Sequence, residues 1–134
     1  MKKLITLLVI VGALSLAIGA HADEKAGAAK AAAAKPAPTT LKGEVVDTGC
    51  YLGHEARGEK HLSCATKCIA NGMPMGLLTA DGKLYLITMN HDSPDAYNAC
   101  KAMAAKQVEA TGFVLERSGM VALDLVSVKA AAAK

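Results

Sequence analysis

Short apolar stretches rich in branched side chains alternate with turn-forming residues along much of the chain. Stretches of this length and composition are typical of β-strands that pack one face against a core. Asp81-Gly82 and Ser118-Gly119 each separate two such stretches, and both dipeptides favour tight turns between neighbouring strands. The pattern predicts five strands, at Leu41–Thr48, Met75–Thr79, Lys83–Met89, Gln107–Glu116 and Met120–Val128.

Two segments have helical rather than strand spacing. In 59–71 apolar residues recur three and four positions apart, and Gly72 is a typical residue at which a helix stops. Asp92-Ser93-Pro94 supplies capping residues and then a proline in the first turn, which predicts a second helix through about Lys106. The first helix therefore follows strand 1, and the second lies between strands 3 and 4.

The order of these elements predicts a mainly β fold with two helices (α+β). With the first helix set aside, five strands with a helix between the third and the fourth match the OB-fold, a small, partly open Greek-key barrel. A general α+β sandwich built from the same elements is the alternative. We therefore expect a five-stranded OB-like barrel, with an extra helix that carries Cys64 and Cys68 after strand 1.

The first residues have the composition of an export signal. Lys2 and Lys3 precede an apolar run of 15 residues, which is shorter than a membrane-spanning helix requires. Ala20-His21-Ala22 then has the small–x–small pattern of a cleavage site. We expect a signal peptide over 1–22, cleaved after Ala22, and a periplasmic or secreted protein with no membrane span after cleavage.

Composition divides the rest of the chain into three parts. Residues 23–40 are rich in alanine, lysine and proline and predict a disordered linker; 129–134 predict a disordered tail. The predicted domain, 41–128, contains eight basic and ten acidic residues, a net charge of −2, although the whole chain carries +3. A slightly acidic domain with few aromatic residues lacks the positive, stacking surface that nucleic acids require, so we exclude that class of partner.

Cysteine and histidine residues cluster in and just before the first predicted helix. If that helix forms, His61, Cys64 and Cys68 occupy positions i, i+3 and i+7 and share one face. Cys50 and His54 lie at the end of strand 1 and in the loop that follows, which is long enough to fold over the helix. Thiolate and imidazole ligands suit zinc and copper(I), so these five residues are the candidate metal ligands.

Two other uses of the cysteines stay open. An exported protein with four cysteines is commonly stabilised by disulfides, and Cys100 in the second helix is one possible partner for the first helix. A bridge between Cys64 and Cys68 themselves would distort a regular helix, because Cβ atoms four residues apart are too far apart. Thiol redox chemistry is the third use.

Carboxylates near the cluster are candidates to orient a ligand histidine. Metal-bound histidines commonly donate their second ring N–H to a carboxylate, and Asp47, Glu55 and Glu59 are placed for that role. Methionines, including Met73 and Met75, add thioethers that bind copper(I), although methionine in a chain with few aromatic residues also fills a core.

The segment around the cluster resembles a group of small, functionally uncharacterised, exported bacterial domains. Their pattern is matched by Gly-Glu-Val-Val-Asp at 43–47, by the five cysteines and histidines above, and by Ile69, Gly72 and Pro74. It continues with Asp-Gly-Lys-Leu-Tyr-Leu-Ile at 81–87. The resemblance implies an OB-like fold with a metal or disulfide cluster at Cys50, His54, His61, Cys64 and Cys68; Cys100 is outside the pattern.

The sequence contains none of the common catalytic or cofactor motifs. It has no haem-attachment or Cys-x2-Cys redox motif, no phosphate-binding glycine loop and no Gly-x-Ser-x-Gly turn. We assign no catalytic residue and expect an exported, non-enzymatic module that binds zinc or copper. The alternatives are a disulfide-stapled domain that binds a small ligand or a protein partner, and a thiol redox protein.

Overall fold

The computed structural model describes residues 36–132. The predicted signal peptide at 1–22, with its cleavage site, lies outside the described residues, as do the linker up to residue 35 and the last two residues of the tail. None of the helices within 36–132 is both long enough and apolar enough to cross a membrane.

Five strands form one sheet that closes into a barrel in the order β1-β2-β3-β5-β4. Neighbouring strands are antiparallel, except that β3 and β5 run parallel. The mainly β, α+β prediction is therefore confirmed. The strands are β1 Thr39–Asp47, β2 Met75–Thr79, β3 Leu84–Met89, β4 Gln107–Arg117 and β5 Met120–Ala130.

Three α-helices connect the strands. Helix α1 (Thr48–His54) and helix α2 (Leu62–Ala70) both lie between β1 and β2, and helix α3 (Pro94–Lys101) lies between β3 and β4. A 3-10 turn at Glu59–His61 leads into α2, so the predicted helix over 59–71 is divided in two. Helix α1 forms where a loop after strand 1 was expected.

The outer strands extend two residues beyond the predicted domain at each end. Pro36 and Pro38 explain where β1 begins, because proline cannot donate a ladder hydrogen bond and limits a strand to the residues that follow. At the other end β5 continues to Ala130, and Lys129 forms a 3.0 Å ion pair with Glu109 on β4.

The barrel interior holds the core. Alternate residues of β4 point inward, as a strand with one covered face requires. The last five residues of β1, 43–47, are all buried, and α2 contacts this strand. Helix α2 contributes Ala65 and Ile69 to the core, and α3 contributes Cys100.

Candidate metal centre

The centre begins at the junction of β1 and α1. Asp47, the last residue of β1, is fully buried, and its Oδ1 accepts a 2.8 Å hydrogen bond from the backbone N–H of Cys50. A carboxylate in this position caps the first turn of a helix, so Asp47 determines where α1 starts. Thr48 attaches α1 to the segment before β2. Its N–H and its Oγ1–H each donate a hydrogen bond to the Pro74 carbonyl oxygen, both at 3.0 Å.

Helix α2 positions two further sulfurs. Ala65 and Ile69, four residues apart, are buried against the barrel. Cys64 and Cys68 each precede one of them by a single position and therefore share a neighbouring face, where Cys64 is exposed and Cys68 half-buried. The helix thus presents its two thiols at the protein surface while its apolar face anchors them.

Three sulfurs converge between α1 and α2. The Sγ atoms of Cys50, Cys64 and Cys68 all lie within 4.8 Å of one another, and those of Cys64 and Cys68 are 3.9 Å apart. Two sulfurs bound to one zinc at about 2.3 Å in tetrahedral geometry are separated by about 3.8 Å. A disulfide requires about 2.05 Å, and all four cysteines are free thiols. The spacing suits a shared metal ion and not a bond between sulfurs.

Asp47, Cys50 and His61 form a second group of donor atoms within 4.8 Å of one another. His61 Nε2 lies 3.1 Å from Asp47 Oδ2, and the imidazole is 19% exposed. Both oxygens of this buried carboxylate are therefore engaged, one by the Cys50 backbone and one by the histidine. Cys50 belongs to both groups and joins them into one centre.

His54 and Cys100 lie outside both groups. His54, a predicted ligand, is the last residue of α1 and is exposed, one helical turn beyond Cys50. Cys100 is fully buried in the core, where desolvation raises the pKa of its thiol to about 11. Of the three carboxylates proposed to orient a histidine, Asp47 is the one that the structure places against His61.

Hydrogen bonds and desolvation raise the pKa values of two of the clustered thiols and favour their protonated form. The pKa of Cys50 is raised to about 12, mainly by its hydrogen bond to Asp47, and further by desolvation and by Cys64. The pKa of Cys68 is raised mainly by its hydrogen bond to Cys64, with desolvation second. Each cause disfavours further negative charge at this point. A bound cation reverses that effect, because it stabilises thiolates.

An apolar groove of about 550 Å³ is lined in part by α1, and Cys50, Cys64 and Cys68 are not among its lining residues. Leu52 on α1 forms part of its wall and is 72% exposed. The remaining lining residues come from the start of α1, the segment before β2, strand β3, the β4–β5 turn and the start of β5: Thr48, Pro74, Leu84, Leu86, Ser118, Gly119, Met120 and Val121.

Comparison with protein-family models, with curated proteins and with solved structures found no match to this chain. The resemblance described from the sequence pattern therefore stays a prediction. The function has to be argued from the arrangement of these side chains.

Proposed function

We propose that this domain is a non-enzymatic module that binds one zinc or copper(I) ion through Cys50, Cys64 and Cys68. The observation that carries the proposal is that these three sulfurs, from two different helices, lie within 4.8 Å of one another. Thiolates at this spacing are ligands that both metals favour. His61 and Asp47 support the site, since Asp47 accepts a hydrogen bond from the Cys50 backbone N–H and contacts the His61 ring.

The barrel is proposed to be OB-like. The strand order β1-β2-β3-β5-β4, with β3 and β5 parallel and α3 between β3 and β4, supports this assignment. In such barrels the connection between the first two strands commonly contributes to binding. Here that connection contains α1 and α2, which carry the three sulfurs.

The two alternative uses of the cysteines have less support. A disulfide-stapled domain needs a bonded pair, and the four thiols are free, with Cys100 buried away from the cluster. A reactive redox cysteine typically has a lowered pKa. The pKa values of Cys50 and Cys68 are raised instead.

Export is part of the proposal and rests on the amino-terminal sequence. Lys2, Lys3 and the apolar run that follows support a signal peptide, with cleavage after Ala22. In the periplasm or outside the cell, bound metal would protect the three thiols from oxidation.

Metal analysis of the purified protein tests the proposed function. The full chain, purified after export under anaerobic conditions, is expected to hold one zinc or copper ion. Cys64→Ser should lower the affinity by about 100-fold or more, because it removes one of three ligands. Ser63→Ala, a change at the exposed neighbouring residue, is the matched control and should retain the metal. A wild-type protein that binds neither metal, or Cys64→Ser binding as tightly as wild type, would contradict the proposal.

A further inference from the structure

We propose that the ion in this centre is copper(I), held by three sulfurs and without an imidazole ligand. This inference rests on the proposed metal-binding function and specifies the metal. It depends on which donor atoms of residues 36–132 lie close enough to share one ion, and on which groups the remaining donor atoms contact.

The donors divide into two groups of three and do not form one group of four. Cys50, Cys64 and Cys68 form the first group, and Asp47, Cys50 and His61 form the second. His61 therefore joins Cys50 but not all three sulfurs. In a tetrahedral zinc site with three thiolates and one imidazole, every pair of ligand atoms lies within about 4 Å. His61 does not meet that requirement, because it does not lie within 4.8 Å of all three sulfurs.

The contact between His61 and Asp47 opposes a move of the ring toward the sulfurs. Asp47 is fully buried, and its Oδ2 has His61 as its hydrogen-bond partner at 3.1 Å. Withdrawing the imidazole would leave one oxygen of a buried carboxylate without that partner, which costs more than losing an exposed hydrogen bond. The imidazole is thus retained beside the carboxylate.

Three thiolates without a fourth ligand match the preference of copper(I). Copper(I) is a soft ion that thiolates select, and it accepts a planar arrangement of three ligands. For three sulfurs around one ion at about 2.3 Å, neighbouring sulfurs are about 4.0 Å apart. The Cys64–Cys68 separation of 3.9 Å fits that geometry and a tetrahedral site equally well. The position of His61 outside the three-sulfur group is therefore what favours copper(I).

The exposure of the site supports a role in which the domain carries the ion and transfers it to an acceptor. Cys64 is exposed, while Cys50 and Cys68 are half-buried, so an incoming thiolate can approach from the solvent side. A structural zinc site is usually closed by four ligands. A three-sulfur centre at the surface leaves room for the ligand of an acceptor, so copper(I) is here the cargo of the domain.

Metal competition and X-ray absorption on the reduced, full-length protein test this inference. Copper(I) and zinc are supplied in equal amounts under anaerobic conditions with a competing chelator. We expect one copper(I) per chain by native mass spectrometry, and an absorption spectrum fitted by three sulfur ligands and no imidazole nitrogen. His54→Ala should leave both results unchanged, because His54 is exposed and belongs to neither donor group.

Two outcomes overturn the inference in different ways. If zinc displaces copper(I), or if an imidazole nitrogen appears among the ligands of the bound copper, the three-sulfur copper(I) centre is wrong while the proposed metal-binding function stands. If the reduced wild-type protein holds neither ion against the chelator, the proposed function fails as well.

Discussion

At the scale of single residues, Asp47 connects the fold to the chemistry. It ends β1, caps α1 through the Cys50 N–H and holds His61, so one buried carboxylate sets the position of two neighbouring donors. The same carboxylate is the main cause of the raised pKa of Cys50. A residue that orients ligands therefore also controls how readily one of them ionises.

Replacement of Asp47 by asparagine should make Cys50 more reactive in the metal-free protein. Asparagine keeps an oxygen for the Cys50 N–H but loses the negative charge, so the pKa of Cys50 should fall from about 12 toward its ordinary value of 9.0. Each unit of decrease raises the thiolate fraction, and hence the alkylation rate near pH 7, by about 10-fold. Alkylation rates followed by peptide mass mapping measure this change.

The control for this variant is Asp95→Asn, at an exposed residue in the first turn of α3. It should leave the rate at Cys50 unchanged. If Cys50 is alkylated at the same rate in Asp47→Asn and in wild type, Asp47 is not the cause of the raised pKa of Cys50.

Metal binding should release protons from the cluster. At pH 7 the thiols of Cys50 and Cys68 are protonated, because both pKa values are raised above 9.0. Binding as thiolates displaces these two protons, so the apparent affinity should rise with pH by about 10-fold per unit for each proton released. Acidification should weaken binding by the same factor.

Calorimetry in buffers with different ionisation enthalpies counts the released protons directly. We expect at least two per metal ion at pH 7 from Cys50 and Cys68. An affinity that does not change between pH 6 and 8 would show that the ion is not held by these thiols.

At the scale of secondary structure elements, β1 and the two helices after it determine the site. Strand β1 pairs with both β2 and β4, and at Gly43 strand β2 approaches closely. A Cβ at Gly43 would lie 2.5 Å from the Leu78 carbonyl oxygen and 2.8 Å from its carbon. Both are backbone atoms that cannot move without disturbing the sheet.

Gly43→Ala should therefore destabilise the barrel by about 2 kcal/mol or more, through overpacking in a buried strand. Gly53→Ala is the matched control, because Gly53 lies in α1 with no atom within 4 Å of an added Cβ. Alanine in a helix should leave stability unchanged or raise it by up to about 1 kcal/mol. Urea unfolding of the metal-free proteins measures both changes, and equal stability of the two variants would contradict the packing described for β1.

The strands could be predicted because their signals are local. Two turns mark the hairpins in the sequence, Asp81-Gly82 and Ser118-Gly119. In the second turn both residues have positive φ. Helix α1 was not predicted, because Thr48, Gly49 and Gly53 are poor helix formers. The signal that could have found it is Asp47, a strong capping residue three positions before Cys50.

At the scale of the whole molecule, the candidate site depends on contacts between distant segments. Helical spacing predicts that Cys64 and Cys68 share a face, and they do. The approach of Cys50 depends on how α1 docks, through Thr48, on the Pro74 carbonyl, 26 residues further along the chain. For the same reason, the sequence did not indicate that His54 lies apart from both donor groups. It also named three carboxylates as candidates to orient a histidine without indicating that Asp47 is the one beside His61.

The central claim is that Cys50, Cys64 and Cys68 hold one ion together, and native intact-mass spectrometry with thiol alkylation tests it most directly. We predict a chain that carries one metal ion and resists alkylation; after chelation these three thiols react, and buried Cys100 reacts only after unfolding. A metal-free chain with oxidised sulfurs, or equal alkylation of the three cysteines with and without metal, would contradict the claim.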